Sequence, residues 1–432
     1  MQPIRDNARV LTASLVGTAV EYYDFLIYAT AAALFFGDLF FPTWSAASRP
    51  LLSFATFGVA FLARPLGGMF FGHFGDRVGR KSTLVASLLL MGGSTLGIAF
   101  LPSYAQAEAW GIGWIAPVLL CLLRFGQGLG LGGEWTGAAL LAVENAPKGW
   151  EVRFGAAPQV GVPIGVIAAN GMFLLLGMFL SPAQMADWGW RVPFLASAVL
   201  VGIGLWVRLR IGETPEFQQA LDREAPVAVP VSALARRHLG AMVAGSAVVV
   251  TCFAIFYLAT AYALAQGTGP LHFARQSFLG LQMLANAFLG LGVVTAATLA
   301  DRYSARRVLA AGMAVAVPMG MMFGPGLGSG SLALAGLTLC AMMFFMGFTN
   351  APLGSWLARL FPVHLRYTGV AFAFNVGGVI GGALTPFAAQ AMSGAGLASY
   401  AGWLASLAGV VSLLGIRWAR AEQQVYSPIR SR

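Results

Sequence analysis

Charged residues are scarce in this chain of 432 residues: they make up 10%, with 16 Asp and Glu against 26 Lys and Arg. Hydrophobic residues reach 58%. A soluble domain of this length exposes far more charge, so the composition excludes an ordinary soluble globular protein. The apolar residues form repeated runs long enough to cross about 30 Å of hydrocarbon. The chain is therefore predicted to lie in a membrane.

Cysteine is nearly absent as well. Cys121, Cys252 and Cys340 all fall within apolar runs and none has CxxC spacing, so neither a disulfide framework nor a zinc site is predicted. The sequence shows no nucleophile–base set and no metal-ligand cluster, which disfavours an enzyme and predicts no cofactor and no metal. Glycines within 126–133 lie in an apolar run without a preceding strand, which excludes a nucleotide-binding loop.

The apolar runs predict twelve helices, each long enough to span the membrane at about 1.5 Å per residue. Their predicted bounds are 10–37, 51–74, 83–101, 111–141, 155–180, 191–210, 239–265, 274–299, 306–325, 331–358, 367–392 and 398–418. The polar segment 211–238 separates two groups of six. The predicted fold is an all-α membrane protein of two six-helix bundles, residues 1–210 and 239–432, joined by that linker.

The distribution of Lys and Arg predicts the orientation. If the N-terminus is cytoplasmic, 21 of the 26 cations lie on the inner side and only Arg49, Arg191 and Arg275 on the outer side. This bias predicts a multi-pass membrane protein with both termini and the linker in the cytoplasm. The cations are spread over membrane-edge loops, so the net charge of +10 indicates contact with anionic lipid and not with nucleic acid.

Three acidic residues, Glu21, Asp24 and Glu134, lie deep inside apolar runs. A carboxylate in hydrocarbon costs about 3 kcal/mol even on mild insertion scales, so acids in such positions usually serve a function. Arg64 and Arg124 are buried in the same half, which leaves one of the three acids without a cationic partner. That acid can carry a proton across the membrane. Static ion pairing that fixes helix packing explains the same residues, and does so best for Glu134.

Asp24 is the first candidate for the proton carrier. It lies near the predicted midplane of the first helix, one turn from Glu21, and Tyr28 follows one turn later. The three side chains fall within about 60° of one helical face. Two neighbouring carboxylates titrate as a coupled pair, which allows one proton to be held and released.

The buried arginines have a second possible role. A guanidinium presents forked donors that suit a carboxylate, so Arg64 and Arg124 are candidates for binding an anionic solute. In the fourth predicted helix Arg124, Gln127 and Glu134 share one face over about 15 Å of rise. Such a polar stripe indicates a water-accessible cavity, because lipid-facing charge is too costly. Tyr28 and Gln127 are therefore also predicted to contact the solute.

The second half offers only uncharged polar candidates for the cavity: Tyr257, Gln282, Asn286, Asn350 and Asn375. Gln282 and Asn286 are four residues apart and lie on one helical face. Hydrogen bonding between helices explains each of these residues about as well as contact with a solute.

A weak internal repeat supports the division into two halves. An Asp-Arg pair follows the second predicted helix at Asp76-Arg77 and the eighth at Asp301-Arg302, 301 − 76 = 225 residues later. This spacing is expected for parallel repeats. Asp76, Arg77 and Arg80 are predicted to gate the cytoplasmic ends of the halves, since positive-inside anchoring explains the arginines but not the aspartate.

The block Gly72 to Lys81 resembles the G-x-x-x-D-R-x-G-R-[RK] loop of the major facilitator superfamily. Further blocks resemble its metabolite:proton symporter family, which includes carriers for shikimate, α-ketoglutarate, citrate and proline/betaine. They are Glu21-Tyr22-Tyr23-Asp24-Phe25, Ala63-Arg64-Pro65-Leu66-Gly67, Arg124-Phe125-Gly126-Gln127-Gly128, Gly132-Gly133-Glu134-Trp135, Trp188 to Phe194, Glu213-Thr214-Pro215, Leu360-Phe361-Pro362 and Arg366-Tyr367-Thr368-Gly369. The resemblance is dense over 10–220 and sparser afterwards.

The resemblance implies the major facilitator fold and a monomeric carrier of a bacterial inner membrane that imports a small organic acid or zwitterion together with a proton. An exporter or uniporter of the same fold, or a membrane sensor that no longer transports, remain as alternatives. Two departures favour altered gating in the second half. Arg359 stands where these carriers commonly have a glutamate, and Ser304-Ala305 replaces the glycine, Gly79, of the first Asp-Arg loop.

Overall fold

The computed structural model describes residues 8–46, 48–78, 80–132, 134–144, 146–210, 234, 238–362 and 365–425, and these residues contain helices but no strand. Residues 8–210 are called the first half and 238–425 the second half. Most of the predicted linker 211–238 and the last seven residues lie outside the described ranges, so the predicted domain boundaries remain predictions.

Twelve long helices follow one another along the described chain. In the first half they are α1 (Ala8–Ala31, continued by Ala32–Phe36 and Gly37–Phe40), α2 (Ser48–Val78), α3 (Arg80–Ala99), α4 (Ile115–Leu131 and Glu134–Glu144), α5 (Glu151–Phe179) and α6 (Val192–Arg210). In the second half they are α7 (Leu239–Tyr257, Leu258–Tyr262 and Ala263–Thr268), α8 (Arg275–Arg302), α9 (Ala305–Leu327), α10 (Leu332–Asn350 and Leu353–Ala358), α11 (Arg366–Gly378, Val379–Leu384 and Thr385–Gly394) and α12 (Trp403–Val425).

Eleven of the described helices are long and apolar enough to cross a membrane, and α3 adds a shorter apolar segment, Val85–Ala99. The predicted all-α architecture of twelve helices is confirmed. Two helix bounds differ from the prediction: the second helix was predicted to end at 74 and the third to begin at 83, but α2 continues to Val78 and α3 begins at Arg80. Polar residues at a membrane edge can continue a helix because its backbone hydrogen bonds are internal.

Equivalent glycines bring helices together in the two halves. A Cβ atom on Gly67 of α2 would overlap the carbonyl of Leu129 in α4, and one on Gly292 of α8 would overlap the carbonyl of Phe344 in α10. Only glycine permits such backbone contact. The two glycines are 292 − 67 = 225 residues apart, the spacing of the Asp-Arg pairs. The repeat therefore extends from the loops into the packing of the helices.

Helices α1 and α7 each contain a π-helical turn, at Ala32–Phe36 and Leu258–Tyr262. A π-turn widens a helix and removes one of its internal hydrogen bonds. A side chain of the following helix bonds a carbonyl in each wide turn: Ser53 Oγ donates to Ala32 O at 2.8 Å, and Gln282 Nε2 donates to Ala259 O at 2.8 Å. The turns begin 258 − 32 = 226 residues apart and so occupy equivalent places in the halves.

The two halves meet at both ends of the helix bundle. The inner end is the one that carries residues 8 and 425 and is predicted to be cytoplasmic; the opposite end is the outer end. At the outer end Gln276 Nε2 of α8 donates to Gly177 O of α5 at 2.7 Å, and the Arg275 guanidinium lies 4.8 Å from the centre of the Phe35 ring. Contacts at the inner end are described below. The described residues thus form a state closed at both ends.

Candidate functional site

Two small cavities lie between the halves, about midway along the helices. The first, called the Arg64 cavity, has a volume of about 20 Å³ and is lined by Glu21, Tyr22, Phe25, Arg64, Leu131, Trp135, Phe374 and Asn375. The second, called the Tyr257 cavity, has a volume of about 10 Å³ and is lined by Tyr22, Val162, Cys252, Phe253, Phe256, Tyr257, Met346, Asn350 and Phe374. Each has room for about one water molecule, so a metabolite requires the halves to separate.

Arg64 places a guanidinium on the wall of the first cavity. Its central carbon lies 4.3 Å from the centre of the Phe25 ring and 4.2 Å from that of Phe61, so two aromatic faces support the cation. The guanidinium also hydrogen-bonds the side chain of Tyr257, which belongs to α7 in the second half. Arg64 therefore links the two cavities and the two halves.

Arg124 is held in a different way and lines neither cavity. Its Nη1 donates to Gln127 Oε1 at 2.6 Å, its Nη2 lies 3.4 Å from Phe57 O, and its central carbon lies 3.7 Å from the centre of the Tyr28 ring. Gln127 in turn donates to Thr95 at 2.6 Å. The structure brings together the predicted residues Tyr28, Arg124 and Gln127, but as a packed network inside the first half.

The predicted proton-coupling acids occupy different surroundings. Glu21 lines the Arg64 cavity, whereas Asp24, one turn further along α1, is 0% exposed and lines neither cavity. Glu134 begins the second segment of α4, and its side chain lies outside the described part of the structure. Of the two acids whose side chains the structure describes, Glu21 is the one that lines a cavity between the halves together with a buried guanidinium, that of Arg64.

Three of the five polar candidates in the second half reach the cavities. Tyr257 and Asn350 line the Tyr257 cavity, and Asn375 lines the Arg64 cavity. Gln282 and Asn286 are buried on α8 but line neither. All five remain candidate solute contacts, and their positions divide them into a central group and a pair on α8.

An aromatic closure lies on the inner side of the Arg64 cavity. The rings of Trp135 in α4 and Phe374 in α11 are parallel within 6°, with their centres 3.5 Å apart. Beside them Asn375 Nδ2 donates to Gly132 O at 3.0 Å, at the break between the two segments of α4. This stack and hydrogen bond join the halves and block the inner route. Neither aromatic residue is distinguished by spacing or charge in the sequence, although Trp135 belongs to the Gly132-Gly133-Glu134-Trp135 block.

Asp301 joins the halves at the inner end. Its carboxylate accepts hydrogen bonds from the backbone N–H groups of Val152, at 2.9 Å, and Arg153, at 3.2 Å, in the first turn of α5. The Nε atom of Arg153 lies 3.4 Å from the same carboxylate, whose side chain is 3% exposed. An acid at a helix N-terminus satisfies donors and complements the helix dipole. Asp301 therefore fastens α8 to α5.

Asp76, the first-half equivalent of Asp301, lies in the last turn of α2, with Arg77 beside it and Arg80 at the start of α3. The side chains of these predicted gating residues lie outside the described part of the structure, so their role remains a prediction. Asp301 was noted in the sequence only as the marker of a repeat. That repeat was the signal for its position, but its partners are backbone groups that sequence spacing does not reveal.

We expect Asp301→Asn to loosen the inner end of the protein. The amide removes the charge and leaves one of the two α5 N–H groups without an acceptor, which shifts the equilibrium toward an inward-open state by about tenfold. Spin labels on cysteines placed at Lys148 and Arg307, both exposed at this end, measure the change as a longer distance. Asp38→Asn is the control, because its ion pair with Arg49 joins two helices of one half. Equal distances in all three proteins would contradict the role of Asp301.

A twelve-helix membrane bundle with a charged site enclosed between two repeated halves defines a multi-pass transporter and not an enzyme. The chain belongs to the Major Facilitator Superfamily, whose family profile matches residues 14–386. The resemblance found in the sequence is thereby confirmed.

Several similar proteins are named as transporters, and each matches this chain over most of its length. The inner membrane metabolite transport protein YhjE of Escherichia coli strain K12 is 44% identical over 414 residues, which cover 94% of this chain and 93% of that protein. The shikimate transporter of the same strain is 38% identical, with 89% and 87% covered. The proline/betaine transporter of Salmonella typhimurium is 31% identical, with 88% and 76% covered.

Solved structures agree on the fold. A partially occluded, inward-open conformation of the xylose transporter XylE from E. coli superposes with a TM-score of 0.73 at 14% identity, covering 96% of this chain and 97% of that chain. A crystal structure of a D-xylose-proton symporter gives 0.72 at 16% identity, covering 94% and 96%. At such low identity these likenesses establish the architecture alone.

Proposed function

We propose that this protein imports a small metabolite bearing a carboxylate, an organic acid or a zwitterion, together with a proton. The observation that carries the proposal is the placement of Arg64 and Glu21 on the wall of one cavity between the halves. The guanidinium offers paired donors to a carboxylate, and the surrounding aromatic rings exclude water, which strengthens that interaction. The aromatic walls also suit an apolar or ring-shaped solute body.

The acid pair of α1, Glu21 and Asp24, supplies the coupling, and Glu21, which lines the cavity with Arg64, makes solute binding depend on it. An ionised Glu21 competes with an anionic solute for the guanidinium and repels it, so the solute binds best after Glu21 takes up a proton. Proton and anion then enter the cavity together. A zwitterion has an ammonium group that an ionised Glu21 attracts. The named relatives include carriers for both kinds of solute, a shikimate transporter and a proline/betaine transporter.

Alternating access follows from the closed contacts at the two ends. Separation at the outer end breaks the α5–α8 contact near Gln276, and separation at the inner end breaks the Asp301 contact and the Trp135–Phe374 stack. Rocking of one half against the other exposes the same central cavity to each side in turn. We propose that the protein works as a monomer in a bacterial inner membrane, with both termini cytoplasmic and 211–238 as the linker between the halves.

Transport into vesicles tests this function directly. We expect purified protein in vesicles containing a pH-sensitive dye to acidify the lumen when a labelled carboxylate solute is added outside, and an inward-directed proton gradient to drive accumulation. A panel of organic acids and zwitterions identifies the preferred charge. Solute movement without proton movement would indicate a uniporter. Uphill solute movement in the direction opposite to the proton flow would indicate an exporter. Saturable binding without any transport would indicate a sensor.

A further inference from the structure

Two residues that line the Arg64 cavity each have a buried N–H group without a hydrogen-bond partner among the described residues. The groups are Nε of Arg64 and the indole Nε1 of Trp135. Arg64 is 6% exposed and Trp135 is 7% exposed, so bulk water reaches neither N–H group. Buried donors are nearly always paired in folded proteins. Two unpaired donors on one cavity therefore indicate a place for a group that accepts hydrogen bonds.

A close contact between α2 and α4 brings these two residues together. A Cβ atom on Gly132 would overlap the carbonyl oxygen of Arg64, so the two backbones touch at this level. Trp135 follows three residues after Gly132, in the second segment of α4. The cavity that both side chains line has room for about one water molecule, and no part of so small a space is far from either of them. One small group can therefore reach both side chains.

The chemistry of the two donors selects the acceptor. An indole N–H and a guanidinium only donate hydrogen bonds. A carboxylate accepts on both of its oxygens, and its charge strengthens each bond. A hydroxyl or an ammonium group brings a donor of its own, which neither side chain can accept. The rings of Phe25 and Phe374 complete the lining and suit an apolar body attached to the carboxylate.

Trp135 also belongs to the inner closure. Its ring lies parallel to that of Phe374 in the other half, with the centres 3.5 Å apart. Stacking uses the faces of the indole and leaves the N–H at its edge available to a ligand. A group that accepts from this N–H binds better to the stacked arrangement, and so favours the state in which the inner route is shut.

We propose that Trp135 is a second binding residue for the solute, and that its indole N–H and the Nε–H of Arg64 both donate to the solute carboxylate. The hydrogen bond to Trp135 ties the bound solute to the inner closure, which opens only when that bond is lost. This inference rests on the proposed function, because it adds a residue and a conformational response to that same site. Water is the other source of an acceptor, and an indole that bonds water alone does not respond to the solute.

The indole N–H resonance of Trp135 tests the proposal in the purified full-length protein, labelled with 15N-tryptophan. The probe is benzoate, whose ring suits the aromatic lining, and benzamide is its uncharged analogue of the same shape. We expect benzoate to move the Trp135 resonance downfield, and benzamide to move it less. The chain has 11 tryptophans, and the spectra of Trp135→Phe and Trp190→Phe assign two resonances by their loss.

Affinities measured by calorimetry provide the second readout. Trp135→Phe keeps an aromatic ring against Phe374 but removes the N–H, so we expect benzoate to bind about tenfold more weakly and benzamide to change by less than about threefold. Trp190→Phe is the matched control. Trp190 is 0% exposed and its Nε1 also has no partner among the described residues, but it lines neither cavity. Its variant should bind benzoate like the wild-type protein, and its resonance should not move.

The link to the closure is measured at the inner end. With spin labels on cysteines at Lys148 and Arg307, benzoate is expected to raise the share of the short distance in the wild-type protein but not in Trp135→Phe. Equal responses in the two proteins would overturn the link between solute and closure.

The outcomes separate this inference from the proposed function. A Trp135 resonance that saturating benzoate leaves in place, in a protein whose benzoate binding is lost in Arg64→Gln, would overturn the role of Trp135 and leave the carboxylate site intact. Equal losses of affinity in Trp135→Phe and Trp190→Phe would reduce Trp135 to packing. Unchanged benzoate binding in Arg64→Gln, or no binding to the wild-type protein, would overturn the carboxylate site and the role of Trp135 together.

Discussion

Replacing Arg64 with glutamine is expected to weaken binding of a carboxylate solute by about a hundredfold. The change removes two charge-assisted hydrogen bonds in a water-poor cavity, worth about 3 kcal/mol together. Arg64→Lys keeps the charge but loses the forked geometry. We therefore expect its solute affinity to lie between those of the wild-type protein and Arg64→Gln. Calorimetric titration of the purified protein measures all three affinities.

Arg124 provides the matched control, because the same substitution there removes an equally buried guanidinium outside the cavities. Arg124→Gln takes away the donors to Gln127 and Phe57 and the cation above the Tyr28 ring. We expect the thermal midpoint to fall by several degrees while solute affinity changes less than about threefold. A large loss of affinity at Arg124 with a small one at Arg64 would reverse the assignment.

Neutralising either acid of α1 is expected to abolish uphill accumulation driven by a pH gradient. Asp24→Asn should leave solute binding and exchange in place while removing the coupled proton. Glu21→Gln imitates the protonated form, so binding of an anionic solute should become independent of pH. In the wild-type protein that binding should strengthen as the pH falls, because protonation removes the negative charge beside Arg64. Vesicles with a pH dye and labelled solute measure accumulation and exchange.

Glu108→Gln is the control for these acids, since Glu108 is exposed at the outer end and accepts from Gly113 N at 3.1 Å. It should transport normally. Full accumulation by Asp24→Asn would remove Asp24 from the mechanism, and pH-dependent binding in Glu21→Gln would assign the titration to another group. The two results are independent, so the experiment distinguishes which acid senses the solute.

Composition and the spacing of apolar runs predicted the fold because hydrocarbon imposes one strong rule: the backbone must satisfy its own hydrogen bonds where lipid surrounds it, and apolar runs of about 20 residues do so as helices. That rule ends at the membrane edge, and there the prediction failed. The second helix was predicted to end at 74 and the third to begin at 83, yet α2 reaches Val78 and α3 begins at Arg80. The glycines Gly67 and Gly292 were not singled out among 55, because their importance depends on which backbone lies opposite.

Charged residues within apolar runs predicted the polar residues of the site more readily than the aromatic residues that line it. Arg64 and Glu21 stood out because charge is rare in apolar runs, and the structure places both on one cavity. Tyr22 and Phe374 line both cavities, but aromatic residues make up 12% of the chain and no spacing distinguishes these two. The position of Asp301 was visible in the sequence as part of a repeat. Its hydrogen bonds to the first turn of α5 were not, because they depend on how the ends of two distant helices meet.

The wall formed by Tyr22 and Phe374 has a consequence for the membrane as a whole. These side chains line both cavities and lie between them, and each cavity has room for about one water molecule. Protons move quickly only along connected water or hydrogen-bonded chains, and dry aromatic packing interrupts such a chain. In its closed state the protein is therefore expected to conduct no protons from one side to the other. If transport is proton-coupled as proposed, a cell can hold many idle copies of the protein without draining the proton gradient.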